Sequence, residues 1–186
     1  MATAPLNPPP AAAPGSAAPA PTSQTPSIHS GAVRASELQI VVFELGDERY
    51  GLDIATVYEI IRHQPITAVP QAPAFVEGVI NLRGRIIPVV DLRDRFGMTS
   101  GELTRASRIV VAEAAGTRVG LVVDGVSEVL MVSSDAIEPT PEVAAGADAA
   151  YLRGIAKLGE RLIILLALDG LFGEADAAAL AAAAAA

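Results

Sequence analysis

The chain has 186 residues and a formal net charge of −8, which disfavours nucleic-acid binding because phosphate recognition needs clustered lysine and arginine. It contains no cysteine, which excludes disulfides, zinc–thiolate sites and cysteine nucleophiles and fits a reducing compartment. It has neither a basic, apolar leader nor an apolar run of about 20 residues, so we expect no signal peptide and no membrane-spanning helix.

The first 36 residues are mostly alanine, proline, serine and threonine, with no aromatic and no acidic side chain. Such a segment buries too little apolar surface to offset the entropy that it would lose on ordering. We therefore predict a disordered tail at 1–36, followed by a folded region at 37–172.

Short apolar and β-branched runs, separated by turn residues, predict about five strands in each half of the folded region. In chain order these segments are 38–45, 50–54, 55–61, 76–82, 86–92, 108–114, 119–123, 125–131, 151–157 and 162–168. Pro88 lies inside one of them and predicts an edge strand or a bulge, because proline cannot donate to a ladder. Close spacing of short strands predicts an all-β fold of two small barrels.

An internal repeat divides the folded region into two modules. With a shift of 69 positions, Ile40–Ile61 aligns with Ile109–Leu130, and nine of the 22 positions are identical. With a shift of 76, Gly78–Phe96 aligns with Gly154–Phe172. We therefore predict two related subdomains at about 38–96 and 107–172, with a longer loop somewhere between residues 133 and 151.

Residues 173–186 begin with acidic side chains and continue almost entirely as alanine. Alanine has the highest helix propensity, and acids near the start suit the helix dipole. This segment predicts an alanine-rich tail or a short helix, which in isolation would fray.

No combination of side chains predicts catalysis. The candidate acids Asp53, Asp91, Asp124 and Asp169 each follow a strand and precede a turn, where aspartate commonly caps the backbone. The two histidines, His29 and His63, lie far apart in the sequence and in no triad or metal pattern. We expect no enzyme activity, no cofactor and no metal.

The segment from Gly78 to Arg93 is the most specific in the chain and reads GVINLRGRIIPVVDLR. An N-L-R-G turn followed by an apolar strand ending in P-V-V-D-L-R resembles the CheW-type coupling proteins of bacterial chemotaxis. Further matching motifs, which extend the resemblance over about residues 38–172, lie at 43–54, 57–60, 73–75, 120–129 and 151–161.

The resemblance implies two SH3-like five-stranded β-barrel subdomains and a non-enzymatic adaptor. Such adaptors bind the cytoplasmic tip of chemoreceptors (methyl-accepting chemotaxis proteins) and the regulatory domain of the histidine kinase CheA, and they couple one to the other. The implied location is the cytoplasm, at membrane-associated receptor arrays, with no direct membrane insertion and no nucleic-acid partner.

The resemblance also implies two groups of site residues. The receptor-binding group consists of Val57, Glu59, Gly78 and Arg83. The kinase or partner group consists of Gly125, Val126 and Val129. From the residues alone, Glu59 and Arg83 could be an ordinary surface ion pair, and Val57 and Val126 could simply pack in the core. Which face serves which partner stays open.

A second function fits the same residues. A CheW-like scaffold in a non-flagellar chemosensory array, controlling pili, gliding or another output, would present similar binding surfaces. The sequence does not separate this alternative from flagellar chemotaxis.

Overall fold

The computed structural model describes residues 36–99, 101–140 and 150–185. These residues form mostly β-strands with a few short helices, so the all-β prediction is confirmed. The predicted disordered tail at 1–36 lies outside the described residues except for Ser36. Most of the predicted longer loop, at 141–149, lies outside them as well.

The strands follow the predicted segments closely. Their bounds are β1 Glu37–Leu45, β2 Glu48–Asp53, β3 Val57–Arg62, β4 Val76–Leu82, β5 Arg85–Asp91, β6 Arg108–Ala114, β7 Thr117–Val123, β8 Gly125–Ser133, β9 Ile137–Glu138, β10 Leu152–Leu158 and β11 Arg161–Leu166. The helices are α1 Leu92–Arg95, α2 Leu168–Leu171 and α3 Glu174–Ala185, and single 3-10 turns occupy Ile54–Thr56 and Ser134–Ala136.

The strands form two mixed sheets that are related by the sequence repeat. The first sheet has the order β8-β1-β2-β11-β10-β9, and the second has the order β3-β6-β7-β5-β4. The repeat aligns β1 with β6, β2 with β7, β3 with β8, β4 with β10 and β5 with β11. It therefore superposes one sheet order on the other, strand for strand, apart from the two-residue β9.

The sheets do not follow the division of the sequence into two modules. The first module contributes β1 and β2 to the first sheet and β3, β4 and β5 to the second. The second module makes the reciprocal contribution. The sequence boundary between 38–96 and 107–172 is therefore not a boundary between sheets.

Each sheet curls around an apolar interior of its own. In the second sheet, Ile61 from β3 and Ile80 from β4, at opposite ends of the strand order, pack into one cluster with Val111. In the first sheet, Leu130 from β8 and Ile137 from β9 likewise share a cluster. End strands can meet across one interior only if the sheet closes on itself, as in a small barrel.

A third and larger apolar cluster, the central cluster, combines residues from both sheets. It includes Phe43, Leu52, Leu121 and Leu166, each almost fully buried. Strands such as β1 and β6 are therefore buried on both faces, which explains their continuous apolar sequences. The two barrels are held together by this shared core.

Pro88 does not mark an edge strand, so that half of the prediction is wrong, although the β4–β5 ladder has a bulge one residue pair away, between Val76 and Gly78. Pro88 lies in β5, which has β7 on one side and β4 on the other. The parallel ladder between β5 and β7 begins only at Val89, one residue later. Pro88 can therefore occupy an interior strand at a position where that ladder has not yet started.

The predicted C-terminal helix is confirmed as α3, and tertiary contacts hold it in place. Its Leu180 is fully buried in the central cluster, and Ala183 is also buried. The Arg95 guanidinium donates to the Leu171 carbonyl at 2.9 Å and pairs with Asp176 at 3.3 Å. No helix in the described part of the chain is long and apolar enough to cross a membrane.

Candidate functional site

The predicted site residues lie around two edge strands, β3 and β8, which are equivalent in the repeat. Each strand ends one of the two sheets, so one side of its backbone has no neighbouring strand in the sheet order. Six large apolar side chains are exposed among the described residues, and four of them lie on these two strands. These four are Tyr58, Ile60, Val129 and Met131. Exposed apolar residues beside free edges are typical of protein-binding surfaces.

The structure brings together Glu59 of β3 and Arg83 of the β4–β5 turn, 24 positions apart in the sequence. Arg83 Nη2 donates to Glu59 Oε2 at 2.8 Å. The Arg83 side chain is 80% exposed and that of Glu59 25% exposed. The guanidinium therefore stands in solvent while its carboxylate partner is anchored against the barrel.

The turn that carries Arg83 has a defined backbone. Arg83 and Gly84 both have positive φ, 53° and 82°, as in the tight turns that join twisted hairpin strands. The Asn81 Oδ1 accepts the Gly84 N–H at 2.9 Å and stabilises this conformation. The N-L-R-G sequence thus presents an arginine at the tip of a rigid hairpin.

Three further residues extend this surface, and sequence reasoning missed them. The Arg118 guanidinium carbon lies 3.9 Å from the centre of the Tyr58 ring, and the Tyr58 hydroxyl donates to Glu113. Together they line an open groove of about 700 Å³ that also contacts Arg85 and the alanines of α3. Tyr58 lies between two predicted site residues and points outward on an alternating strand, which is the signal that could have identified it.

Gly78 and Val57 are less accessible than Glu59 and Arg83. Gly78 is buried at a bulge in β4, and an added Cβ would lie 2.2 Å from the Thr67 carbonyl oxygen. Thr67 and Val79 form a bridge through two backbone hydrogen bonds, so the clash would fall on paired backbone. Val57 is half-buried and packs against the central cluster. Gly78 therefore shapes β4 but does not offer a contact surface.

The three residues predicted for the second surface lie within β8 but differ in exposure. Gly125 is buried at its start, and Val126 is half-buried against the central cluster, like its repeat counterpart Val57. Val129 is 47% exposed, and Met131 beyond it is 64% exposed. The accessible part of this surface is therefore the C-terminal half of β8, which contains Val129 and Met131.

An ion pair fixes the turn that precedes β8. Arg93 Nε donates to Asp124 Oδ1 at 2.9 Å, and the Gly46 N–H donates to Asp124 Oδ2 at 2.7 Å. Burial by itself would raise the pKa of Asp124, but the hydrogen bonds from Arg93 and Gly46 outweigh it, and the pKa is lowered. Asp124 is thus held ionised as a structural anchor.

Asp53 and Asp91 cap nearby backbone, which confirms the interpretation made from the sequence for these two residues, whereas Asp169 lies within α2 and binds a turn that is distant in the sequence. Asp53 accepts the Ala55 N–H at 2.9 Å, and Asp91 accepts the Arg93 N–H at 2.7 Å. Asp169 accepts the Ala115 N–H at 3.1 Å. Within the described ranges, no group of three or more histidine and acidic side chains could hold a metal ion.

Comparison with known proteins gives a consistent result. Residues 39–176 match the family described as the CheW-like domain. The chain is 39% identical over 141 residues to the probable chemotaxis protein CheW of Rhizobium etli, covering 76% of this chain and 91% of that protein. It also matches FrzA of Myxococcus xanthus, with 30% identity over 121 residues, covering 64% of this chain and 74% of that one.

A solved structure gives the same answer for the fold. The crystal structure of the scaffolding protein TtCheW from Thermoanaerobacter tengcongensis superposes with a TM-score of 0.70 at 44% identity. The match covers 76% of this chain and 96% of that one. This chain therefore has the same overall fold as that scaffold.

Proposed function

This chain belongs to the CheW-like domain family, and we propose that it is a non-enzymatic adaptor that couples chemoreceptors to the histidine kinase CheA. In this proposal it works in the cytoplasm, at membrane-associated receptor arrays. One partner is the cytoplasmic tip of a receptor, and the other is the regulatory domain of the kinase.

The observation that carries the receptor half of the proposal is the Glu59–Arg83 pair at the rim of the β3 edge. An exposed arginine on a rigid turn presents a planar fork of donors, and arginine is enriched among residues that dominate binding energy. The neighbouring Tyr58, braced by Arg118, adds an aromatic contact next to that charge. A receptor helix lying in the adjacent groove would meet both. Val57 and Gly78 would support this surface from within.

The exposed residues in the C-terminal half of β8 support the second part of the proposal, binding to the kinase. Val129 and Met131 project from a free strand edge on the other barrel. A partner of related fold could pair its own edge there, which combines backbone hydrogen bonds with apolar burial. Gly125 and Val126 would hold the start of that strand in place.

The first experiment compares the wild type with Arg83→Asp. We expect the variant to fold normally, because a surface pair contributes only about 0–1 kcal/mol. Reversing the charge at the hairpin tip should weaken co-sedimentation with receptor-containing membranes at least about tenfold, as for a binding hot spot. Receptor-dependent autophosphorylation of CheA should fall in parallel, while direct binding to the isolated kinase persists.

Arg153→Asp is a matched control, since Arg153 is also an exposed arginine paired with a less exposed carboxylate, Asp53. It should co-sediment like the wild type. Equal receptor binding by Arg83→Asp and the wild type would remove the hairpin tip from the receptor surface.

The same assays test the second surface with Val129→Asp. A charge on the free edge should weaken binding to the regulatory domain of CheA and leave receptor binding intact. Leu103→Asp provides the control, because Leu103 is similarly exposed but belongs to neither β3 nor β8. Kinase binding that survives Val129→Asp would place the kinase contact elsewhere.

The similarity to FrzA, which is not named as a chemotaxis protein, keeps a second candidate function open. In that alternative the chain is the scaffold of a non-flagellar array with a different output. Deleting the gene and scoring swimming against surface motility would separate the two. Loss of surface motility alone would favour the alternative.

A further inference from the structure

A basic cavity of about 430 Å³ lies at one end of the β3–β6 pair. Its lining residues are Arg62, His63, Thr104, Arg105, Ser107 and Arg108. Three arginines, a histidine and two hydroxyl residues thus converge on one opening, in a chain whose net charge is −8. The volume falls within the usual range of about 300–1,000 Å³ for small-molecule sites.

The arginines of this cavity lack carboxylate partners among the described residues. Arg62 and Arg105 form no ion pair or side-chain hydrogen bond there, and the same is true of Arg49 and Arg85 outside the cavity, whereas five described arginines do form ion pairs. Those paired arginines are Arg83, Arg93, Arg95, Arg153 and Arg161. In addition, Arg62 lies directly opposite Arg108 in the β3–β6 ladder. Like charges at opposed positions destabilise a sheet, so this pairing calls for a counter-charge.

The remaining groups hold the cavity in shape. Arg108 Nη1 donates to the carbonyls of Arg105, Ala106 and Ser107 at 2.8–2.9 Å. The buried Ser107 Oγ accepts the Thr104 N–H at 2.8 Å. These bonds close the 104–108 turn on itself.

His63 also lines this cavity. Its Nε2 is buried without a hydrogen-bond partner among the described residues, and such an orphan is costly. The Glu77 carboxylate lies close enough to interact electrostatically with His63, but it pairs with none of the three arginines.

The sequence repeat provides an internal control, because the equivalent positions of the other barrel carry no positive charge. The shift of 69 places Met131 where the second sheet has Arg62, and Val132 where it has His63. In the same alignment, Ser36 is equivalent to Arg105 and Gln39 is equivalent to Arg108. The Gln39–Met131 pair in the β1–β8 ladder matches the Arg108–Arg62 pair. Folding therefore does not require this positive charge, and a ligand accounts for it better.

We propose that the Arg62–Arg105–Arg108 cavity is an oxyanion site that binds phosphate or a phosphate monoester. The planar guanidinium fork matches phosphate oxygens, and charge-assisted hydrogen bonds are stronger than neutral ones. The free guanidinium groups of Arg62, at the end of β3, and Arg105, on the 104–108 turn, can together engage a doubly charged oxyanion. This site is separate from the Arg83 and Val129 surfaces and does not depend on the proposed adaptor function.

The test is a calorimetric titration of the full chain with inorganic phosphate. Chloride keeps the ionic strength constant. A second titration with phosphoserine distinguishes a free anion from a phosphorylated group. The variant Arg62→Met with Arg105→Ser introduces the residues that the other barrel uses, so it is designed to fold. Arg49→Ser, at an unpaired arginine outside this cavity, is the control with a charge change in the same direction.

We expect saturable phosphate binding that weakens at least about tenfold in the double variant and is unchanged in Arg49→Ser. Tighter binding of phosphoserine would assign the site to a phosphorylated group, and equal binding would assign it to free phosphate. Phosphate that binds no better than chloride would overturn the proposal. So would a folded double variant, verified by circular dichroism, that binds phosphate as the wild type does.

Discussion

The Glu59–Arg83 pair illustrates how a residue can matter for binding while contributing little to stability. At the exposure of Arg83, solvent screens most of the attraction between the two charges. The geometry nevertheless holds the guanidinium at a fixed place on the surface. Its motif identified Arg83 in the sequence, and the ion pair between Glu59 and Arg83 that the residues suggested is the one observed.

The negative charge of Asp124 stabilises the turn before β8, and the variant Asp124→Asn tests how much that charge contributes to stability. Losing the charge should lower the free energy of unfolding by about 1–3 kcal/mol at neutral pH, as for hydrogen bonds to charged groups. Because the folded-state pKa is lowered, the stabilisation is fully present above the ordinary aspartate value of about 3.9. It is lost as the pH falls through the lower folded-state pKa.

Urea denaturation of both proteins at a series of pH values measures this effect. The difference between wild type and Asp124→Asn should shrink as the pH falls below about 4. Using the difference cancels the opposite contribution of Asp91, whose pKa burial raises. A difference that stays constant down to pH 2 would show that the charge of Asp124 is not the stabilising feature.

Among the elements, α3 depends on tertiary contacts for its stability. Apart from one leucine its body is almost entirely alanine, and an isolated helix of this length is marginal in water. Leu180, fully buried in the central cluster, supplies the main apolar contact. Helix propensity therefore predicted the element, and the position of one leucine decides its docking.

Leu180→Ala should cost about 2–4 kcal/mol, because it removes a buried side chain and leaves a cavity. The amide protons of α3 should then exchange faster with solvent than those of the barrel strands, as measured by hydrogen exchange. Ala182→Ser, on the exposed side of the helix, should change the free energy of unfolding by no more than about 0.5 kcal/mol and leave the exchange of the α3 amides unchanged. Unchanged exchange in Leu180→Ala would mean that other contacts hold the helix.

At the scale of the whole molecule, the two modules exchange strands and neither encloses a barrel alone. The first module supplies two strands to one sheet and three to the other, and the second module completes both. A cluster shared by both sheets then joins the barrels. Each barrel is thus a product of the entire folded region.

This arrangement predicts a single cooperative unfolding transition for the full chain, because neither module can keep its core after the other is lost. In scanning calorimetry the calorimetric and van't Hoff enthalpies should agree. The fragment 36–99, expressed alone, should lack stable β-structure by circular dichroism. Two resolved transitions, or a stably folded fragment, would contradict the prediction.

The amino-acid sequence by itself determined the strands, the repeat, the C-terminal helix and the family, because alternation, helix propensity and motif spacing are local properties. Tertiary structure alone decided which strands pair, because hydrogen-bonding partners and shared cores join positions far apart in the chain. For that reason the sequence does not distinguish an edge position of Pro88 from the interior strand in which it lies. For the same reason the contact between Tyr58 and Arg118 and the arginine cavity became visible only when β3, β6 and β7 lay side by side.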